Sequence, residues 1–144
     1  MVLKDEWFSA LSENEDGQMI IISGRDEIND FAKSGKFKDR IEITWKYEPF
    51  EKGMPDEQTA ELMEEVETAL RKAVEKDKLA ILTGVYTGAA EKVWIFYART
   101  SVVFGERLNE ALANFELLPI QIYVEKDPEW DEYLDMYEMK SWGE

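Results

Sequence analysis

From Arg40 onward apolar and polar residues alternate without a break, with Ile41, Ile43, Trp45 and Tyr47 on one side and Glu42, Thr44, Lys46 and Glu48 on the other. Successive side chains of a strand point to opposite faces, so this pattern defines a half-buried strand. Pro49 and the stretch Glu51-Lys52-Gly53 stop it, and the period then changes. Met63, Val66, Leu70, Ala73 and Val74 recur at spacings of three and four, and Pro55 suits a first helical turn, where its missing N–H costs nothing. The expectation is a helix from about Pro55 to Lys76. Acids at its start (Asp56, Glu57, Glu61) and bases at its end (Arg71, Lys72, Lys76) match the helix dipole, at about 0.3–1 kcal/mol per well-placed charge.

The same reading continues along the chain. Leu79 to Thr87 is apolar on both alternating sets, and Gly88-Ala89-Ala90 separates it from Lys92-Val93-Trp94-Ile95-Phe96-Tyr97-Ala98, which together predict a central hairpin. A second helix follows with Ser101 as N-cap and Phe104, Leu108, Ala111, Leu112 and Phe115 on its apolar face. Pro119 then opens a last strand in which Ile120, Ile122 and Val124 alternate with Gln121, Tyr123 and Glu125. Strand, helix, strand, strand, helix, strand is the order of a ferredoxin-like split βαβ unit, here residues 40–126. The fold class expected is therefore α+β, an antiparallel sheet with two helices on one face.

Residues 1–39 form an N-terminal extension. Trp7 to Leu11 and Met19 to Ser23 flank the turn-rich Glu13-Asn14-Glu15-Asp16-Gly17, which predicts an extra hairpin, and a short helix is expected near Asp26 to Lys33. Residues 127–144 form an acidic C-terminal segment. There Asp127-Pro128 reads as N-cap and first turn of a short helix with Trp130, Tyr133, Leu134 and Tyr137 on one side. At 144 residues and 44% hydrophobic composition the chain fits a single domain, 1–144, with no internal repeat and no low-complexity linker.

Charge narrows the functional classes. Seventeen Lys and Arg against 32 Asp and Glu leave a net charge of -15, the wrong sign for a protein that neutralises phosphates. No direct nucleic-acid partner and no anionic membrane partner is expected. No apolar run is long enough to cross a bilayer, and Met-Val-Leu-Lys-Asp-Glu lacks the regions of a signal peptide, so a cytoplasmic location is expected.

The chain has no Cys and no His, which excludes disulfides, thiol nucleophiles, the usual zinc sites and every His-based triad. Neither acidic stretch makes a calcium loop. With Gly17 at the sixth position of an EF-hand loop, Ser12 and Ser23 stand where strong acids belong; starting at Asp127, Glu132 occupies the glycine position. No metal, no cofactor and no catalytic residue is assigned. The glycines form neither a dinucleotide fingerprint nor a phosphate loop, and Gly84 within a strand marks a bulge or a close approach. Trp45, Tyr47, Trp94, Phe96 and Tyr97 on sheet strands read as core, because the basic residues and the Lys/Arg-Gly-aromatic signature of an RNA-binding sheet are missing. A sheet face left bare would be covered by a protein partner or by the terminal segments.

Three motifs carry a family resemblance: Ile41-Glu42-Ile43-Thr44-Trp45-Lys46-Tyr47-Glu48-Pro49 leading into Gly53-Met54-Pro55-Asp56, then Val93-Trp94-Ile95-Phe96-Tyr97, then Asp127-Pro128-Glu129-Trp130. The chain resembles, from about Trp7 to Tyr137, the bacterial family catalogued as domain of unknown function 695. That resemblance brings no assigned activity and no catalytic residues. More distantly, and mainly over the split βαβ unit, it is similar to the regulator of ribonuclease activity B family, small acidic α+β proteins that bind and inhibit ribonuclease E.

These readings converge on a non-enzymatic protein-binding or regulatory domain acting on a protein with a basic surface, such as an RNA-processing protein. The alternatives are a small-molecule-binding module and a carboxylate-based enzyme. Trp130, Asp131, Glu132, Asp135, Tyr137 and Glu138 form the candidate partner surface, with Trp130 expected half-buried as the anchor of the terminal helix.

Overall fold

The computed structural model describes residues 1–140. The last four residues of the acidic C-terminal segment lie outside the described residues. The strands are β1 (Glu6–Glu13), β2 (Met19–Asp26), β3 (Asp39–Lys46), β4 (Ala80–Gly88), β5 (Glu91–Ala98) and β6 (Ile120–Lys126). The helices are α1 (Asn29–Lys33), α2 (Glu57–Glu75), α3 (Ser101–Ala111) and α4 (Asp131–Glu138). The fold is α+β: an open, fully antiparallel sheet in the order β1-β2-β4-β5-β3-β6, with four helices among the described residues.

The alternation in β3 does what period two requires. Ile41, Ile43 and Trp45 meet Trp94 and Phe96 of β5 and Leu82 of β4 beneath Met63, Val66, Leu70 and Val74 of α2 and Phe104 and Leu108 of α3. Trp45 and Trp94 are buried and meet edge to face at 6.1 Å. The Trp94 indole N–H donates to Glu67 on α2 at 2.9 Å.

α2 begins two residues later than the periodicity suggests, because Asp56 is its N-cap and accepts from the Thr59 N–H at 2.7 Å. Pro55 stands just ahead of the helix. Ser101 is the first residue of α3, and Thr100, not Ser101, holds the cap position. No side chain of Thr100 serves; Asp39 of β3 accepts the Ser101 N–H instead, at 2.8 Å.

Helices cover both faces of the sheet. α1 and α4 lie on the second face, where Phe8, Ile22, Ile28, Phe31, Ile81 and Tyr97 close around Trp130, Tyr133 and Met136. The terminal segments thus cover the face that a split βαβ unit would leave bare. Gly24 and Gly84 permit this packing. A Cβ on Gly24 would stand 2.2 Å from Phe8 Cζ, and one on Gly84 would stand 2.7 Å from Met136 Sδ. The β4–β5 register also shifts between Leu82 and Gly84, the bulge that an in-strand glycine announces.

β2 leaves β4 at this bulge, where the Gly24–Gly84 pair is the last of their ladder. Two side chains then replace the missing strand. Arg25 donates to the Leu82 carbonyl at 3.1 Å, and Glu75 accepts the Leu82 N–H at 2.9 Å. Arg25 is itself buried and paired to Glu75 at 3.0 Å.

β6 departs from the sequence reading. Its alternation suggests a half-buried strand, yet Ile122, Tyr123 and Val124 are all exposed. The helical layer of α2 and α3 is centred on β3, β4 and β5, and β6 pairs only with β3 at the margin of the sheet.

Candidate functional site

α4 is set in place by the residues before it. Trp130 adopts a left-handed backbone conformation (φ 58) immediately ahead of the helix, with no side-chain cap of its own. Asp127 supplies the cap: its two carboxylate oxygens accept the N–H groups of Asp131 and Glu132 at 3.0 and 3.1 Å. One of those oxygens also accepts the Tyr97 hydroxyl at 2.6 Å. Burial first, and then the Asp127 hydrogen bond, hold the Tyr97 phenol well above its ordinary pKa, so it stays a neutral donor.

Trp130 is in the core, 1% exposed, and not half-buried. Its indole stacks on Tyr97 and its N–H donates to the Phe37 carbonyl at 2.8 Å. As placed, it cannot touch a partner. The buried side of α4 is Tyr133 and Met136, while Leu134, expected on one face with Trp130, Tyr133 and Tyr137, is exposed. Helical spacing allowed either choice, and the αL turn at Trp130 rotates the helix so that Met136 meets Gly84.

The remaining candidate residues divide. Asp131, Glu132 and Asp135 are exposed along α4, as is Glu138. Tyr137 is half-buried, edge-on to Phe8 at 5.6 Å, and its hydroxyl donates to Asp26 at 2.8 Å. The structure therefore brings Asp131, Glu132 and Asp135 to one exposed helix, whereas Trp130 and Tyr137 anchor that helix.

Glu132 also lines a pocket of about 220 Å³ on this side of the sheet. Ile20, Val93, Ile95 and Tyr86 supply its apolar surface, and Glu42 of β3 and Glu91 of β5 join Glu132 as its acids. No Lys or Arg lines it. Burial, with Glu132 and Glu42 adding to it, pushes the Tyr86 phenol up to about 12, so the pocket presents a neutral hydroxyl among carboxylates. Among the described residues no three acids are grouped so as to hold a metal ion.

Arg40 lies behind these acids, buried on β3. Nη1 is 2.9 Å from Glu42, without hydrogen-bond geometry, Nη2 bonds Glu125, and Nε is 3.9 Å from Asp127. Burial alone would lower its pKa, but Glu42, Glu132 and Glu125 outweigh that and hold it raised. The guanidinium is a fixed positive charge that gathers carboxylates from β3, β6 and the start of the C-terminal segment.

Sequence reasoning did not find Tyr86, Glu42 or Glu91 as neighbours of Glu132. Period two did place Glu42 on the face opposite Ile41 and Ile43, but nothing along the chain signals that α4 returns to that face.

The chain is thus an α+β protein whose second sheet face carries an acidic helix beside an acid-lined pocket. A family model described as Family of unknown function (DUF695) matches residues 5–137, and the chain belongs to that family. The match takes in all six strands and the Trp130 anchor. No curated protein and no solved structure matches this chain.

Proposed function

We propose that this protein is a non-enzymatic binding module that docks a protein with a basic surface through α4 and the pocket beside it. One observation carries the reading: Asp131 and Asp135 are exposed on α4 with no ion pair among the described residues, next to a pocket whose three charged lining residues are all acids. Exposed, unpaired acids of one sign raise the local concentration of a basic partner and speed its encounter. The apolar surface of Ile20, Val93 and Tyr86 suits the hydrocarbon stem of a lysine or arginine, and Glu91 and Glu132 suit its charged head, Glu42 being paired to Arg40.

The strand order β4-β5-β3-β6 with α2 and α3 on one face supports reading residues 40–126 as a ferredoxin-like unit. On that reading the more distant resemblance to regulators of ribonuclease activity points to an RNA-processing protein in a bacterial cytoplasm as the partner. Among the described residues no helix is long and apolar enough to cross a membrane.

The test compares the full chain with a D131K/D135K variant as immobilised bait in a bacterial lysate, at low and moderate salt, with captured proteins identified by mass spectrometry. The expected result is a basic protein held at low salt, released at moderate salt and lost with the variant. Equal capture by both baits, or a captured set without basic proteins, would overturn the reading.

A further inference from the structure

The opposite margin of the sheet from β1 carries a second surface that the acidic helix does not explain. β6 is an open edge strand, paired on one side with β3 and on the other with nothing among the described residues. Natural edge strands are commonly guarded by inward-turned charges, prolines or bulges. β6 has no proline or bulge within it, and its two charges are spent on β3: Glu125 pairs with Arg40 and Lys126 with Asp39. Its centre, Ile122-Tyr123-Val124, is uncharged, β-branched and aromatic, and about half exposed on both faces.

The direction of the free backbone groups follows from the register. Asp127 N–H donates to Lys38 C=O, continuing the ladder in which Asp39 faces Lys126 and Ile41 faces Val124. In an antiparallel pair, residues alternate between those that bond their neighbour and those that do not. The odd-numbered residues of β6 therefore bond β3, and Ile122, Val124 and Lys126 present N–H and C=O outward. The Ile120 N–H is already taken by Leu118, which leaves its carbonyl.

We propose that β6 pairs antiparallel with β6 of a second copy of this chain, about a two-fold axis through Tyr123, joining two sheets into one. Tyr123 is the middle residue of the seven in β6, so this register uses the whole strand. The N–H groups of Ile122, Val124 and Lys126 then reach the carbonyls of Val124, Ile122 and Ile120 in the other copy. Side chains match as well. Ile122 faces Val124 on the helix side, while on the other side Gln121, an amide donor, faces the Glu125 carboxylate and Tyr123 faces itself. No like charges meet. A closed two-fold pair also removes the open edge in both copies, which an unlimited head-to-tail assembly would not.

Because each copy carries -15, repulsion opposes this association at low ionic strength and screening promotes it. Salt thus strengthens the self-pair and weakens the docking of a basic protein, so the two proposals stand or fall separately.

Sedimentation of the full chain across protein concentration should show a monomer–dimer equilibrium that shifts toward dimer with added salt. V124P removes one outward N–H and spares the bonds to β3; it should weaken dimerisation at least tenfold with the melting transition retained. The absence of native cysteine permits a geometric test. Tyr123 and its symmetry mate form a non-bonded pair with Cα atoms about 4.5 Å apart, inside the disulfide range, whereas two Gln121 residues would stand about 13 Å apart. Y123C should oxidise readily to a covalent dimer and Q121C should not. A chain that remains monomeric at every concentration and salt, or equal cross-linking of Y123C and Q121C, would overturn the proposal; so would a monomer whose β6 pairs instead with an added extended peptide.

Discussion

Trp130 and Tyr97 lie face to face, 4.3 Å between ring centroids and 10° between planes, although 33 residues separate them in the chain. The stack joins the middle of the sheet to the start of α4. Around it the Tyr97 hydroxyl donates to Asp127, which caps α4, and accepts the Tyr133 N–H at 3.3 Å. This cluster holds the start of the acidic helix to the sheet, while Met136 against Gly84 and Tyr137 on Phe8 and Asp26 hold the rest. Trp130→Ala should cost about 3–5 kcal/mol, the usual loss for a fully buried tryptophan, and should abolish hydrogen-exchange protection in α4. Tyr97→Phe keeps the stack but takes one of three donors from Asp127 and strands the Tyr133 N–H, for a smaller loss of about 1–3 kcal/mol. Chemical denaturation measures both, and equal losses would mean that the stack is not the anchor.

Gly24 and Phe8 are direct cross-strand partners, with the Phe8 ring lying over the glycine. Gly24→Ala should destabilise by about 1–3 kcal/mol through overpacking. In a Phe8→Leu background the same change should cost much less, a coupling that a double-mutant cycle reads directly. Additive losses would show that the ring shifts aside freely.

Glu75 is the acceptor for buried Arg25, for the Leu82 N–H and for Arg71 at 3.1 Å. Burial presses the Arg25 pKa down, and the Glu75 charge opposes this. Glu75→Ala leaves the buried guanidinium with only Asp5, 3.9 Å away, as an ion pair among the described residues and should cost about 3–5 kcal/mol. Glu75→Gln keeps an acceptor and should cost less. Urea midpoints for the two variants give the order, and a harmless Glu75→Ala would show that water replaces the carboxylate.

Stability should be level between about pH 4 and pH 10 and fall on either side. Burial alone would raise the Asp26 and Asp39 carboxyls, but Lys140 and Tyr137 on Asp26, and Lys126 and the Ser101 N–H on Asp39, hold both below 3.8. Arg107 holds Asp77 at about 2. A carboxyl whose folded pKa is depressed contributes stability above its unfolded value and loses it as pH falls through the folded one. The phenols work in reverse: burial pushes Tyr47 and Tyr86 from 10.0 up to about 12, so their contribution is present below pH 10 and lost as pH rises toward 12. Melting temperature against pH tests both limbs. Asp26→Asn should make the acid limb shallower, and an unchanged limb would remove Asp26 from the account.

Local order in this chain is written locally. Period two in β3, period 3.6 in α2, the glycine turn between β4 and β5 and the Pro119 that precedes β6 are each decided within a few residues. Trp45 and Trp94 follow from the same logic, since each sits among apolar neighbours on one face of its strand. Truncating either to Ala should therefore cost about 3–5 kcal/mol in thermal or chemical melts.

Two kinds of fact lay beyond local pattern. One is which of two permitted helix faces turns inward: the spacing of Trp130, Tyr133, Leu134 and Tyr137 allowed a stripe through Leu134, and the left-handed turn at Trp130 with the space above Gly84 selected Met136. The other is how far each layer extends. The alternation in β6 is as regular as that in β3, yet burial depends on what lies above a strand, and α2 and α3 cover β3 but not the margin beyond it. The sequence by itself determined the elements, their order and the excess of acid, because backbone sterics, side-chain periodicity and composition act at short range. Only the tertiary structure decided that Glu132 meets Glu42 and Glu91 at one pocket, that Trp130 is an anchor buried in the core, and that Tyr123 stands on an open edge, because those relations depend on where distant segments come to rest.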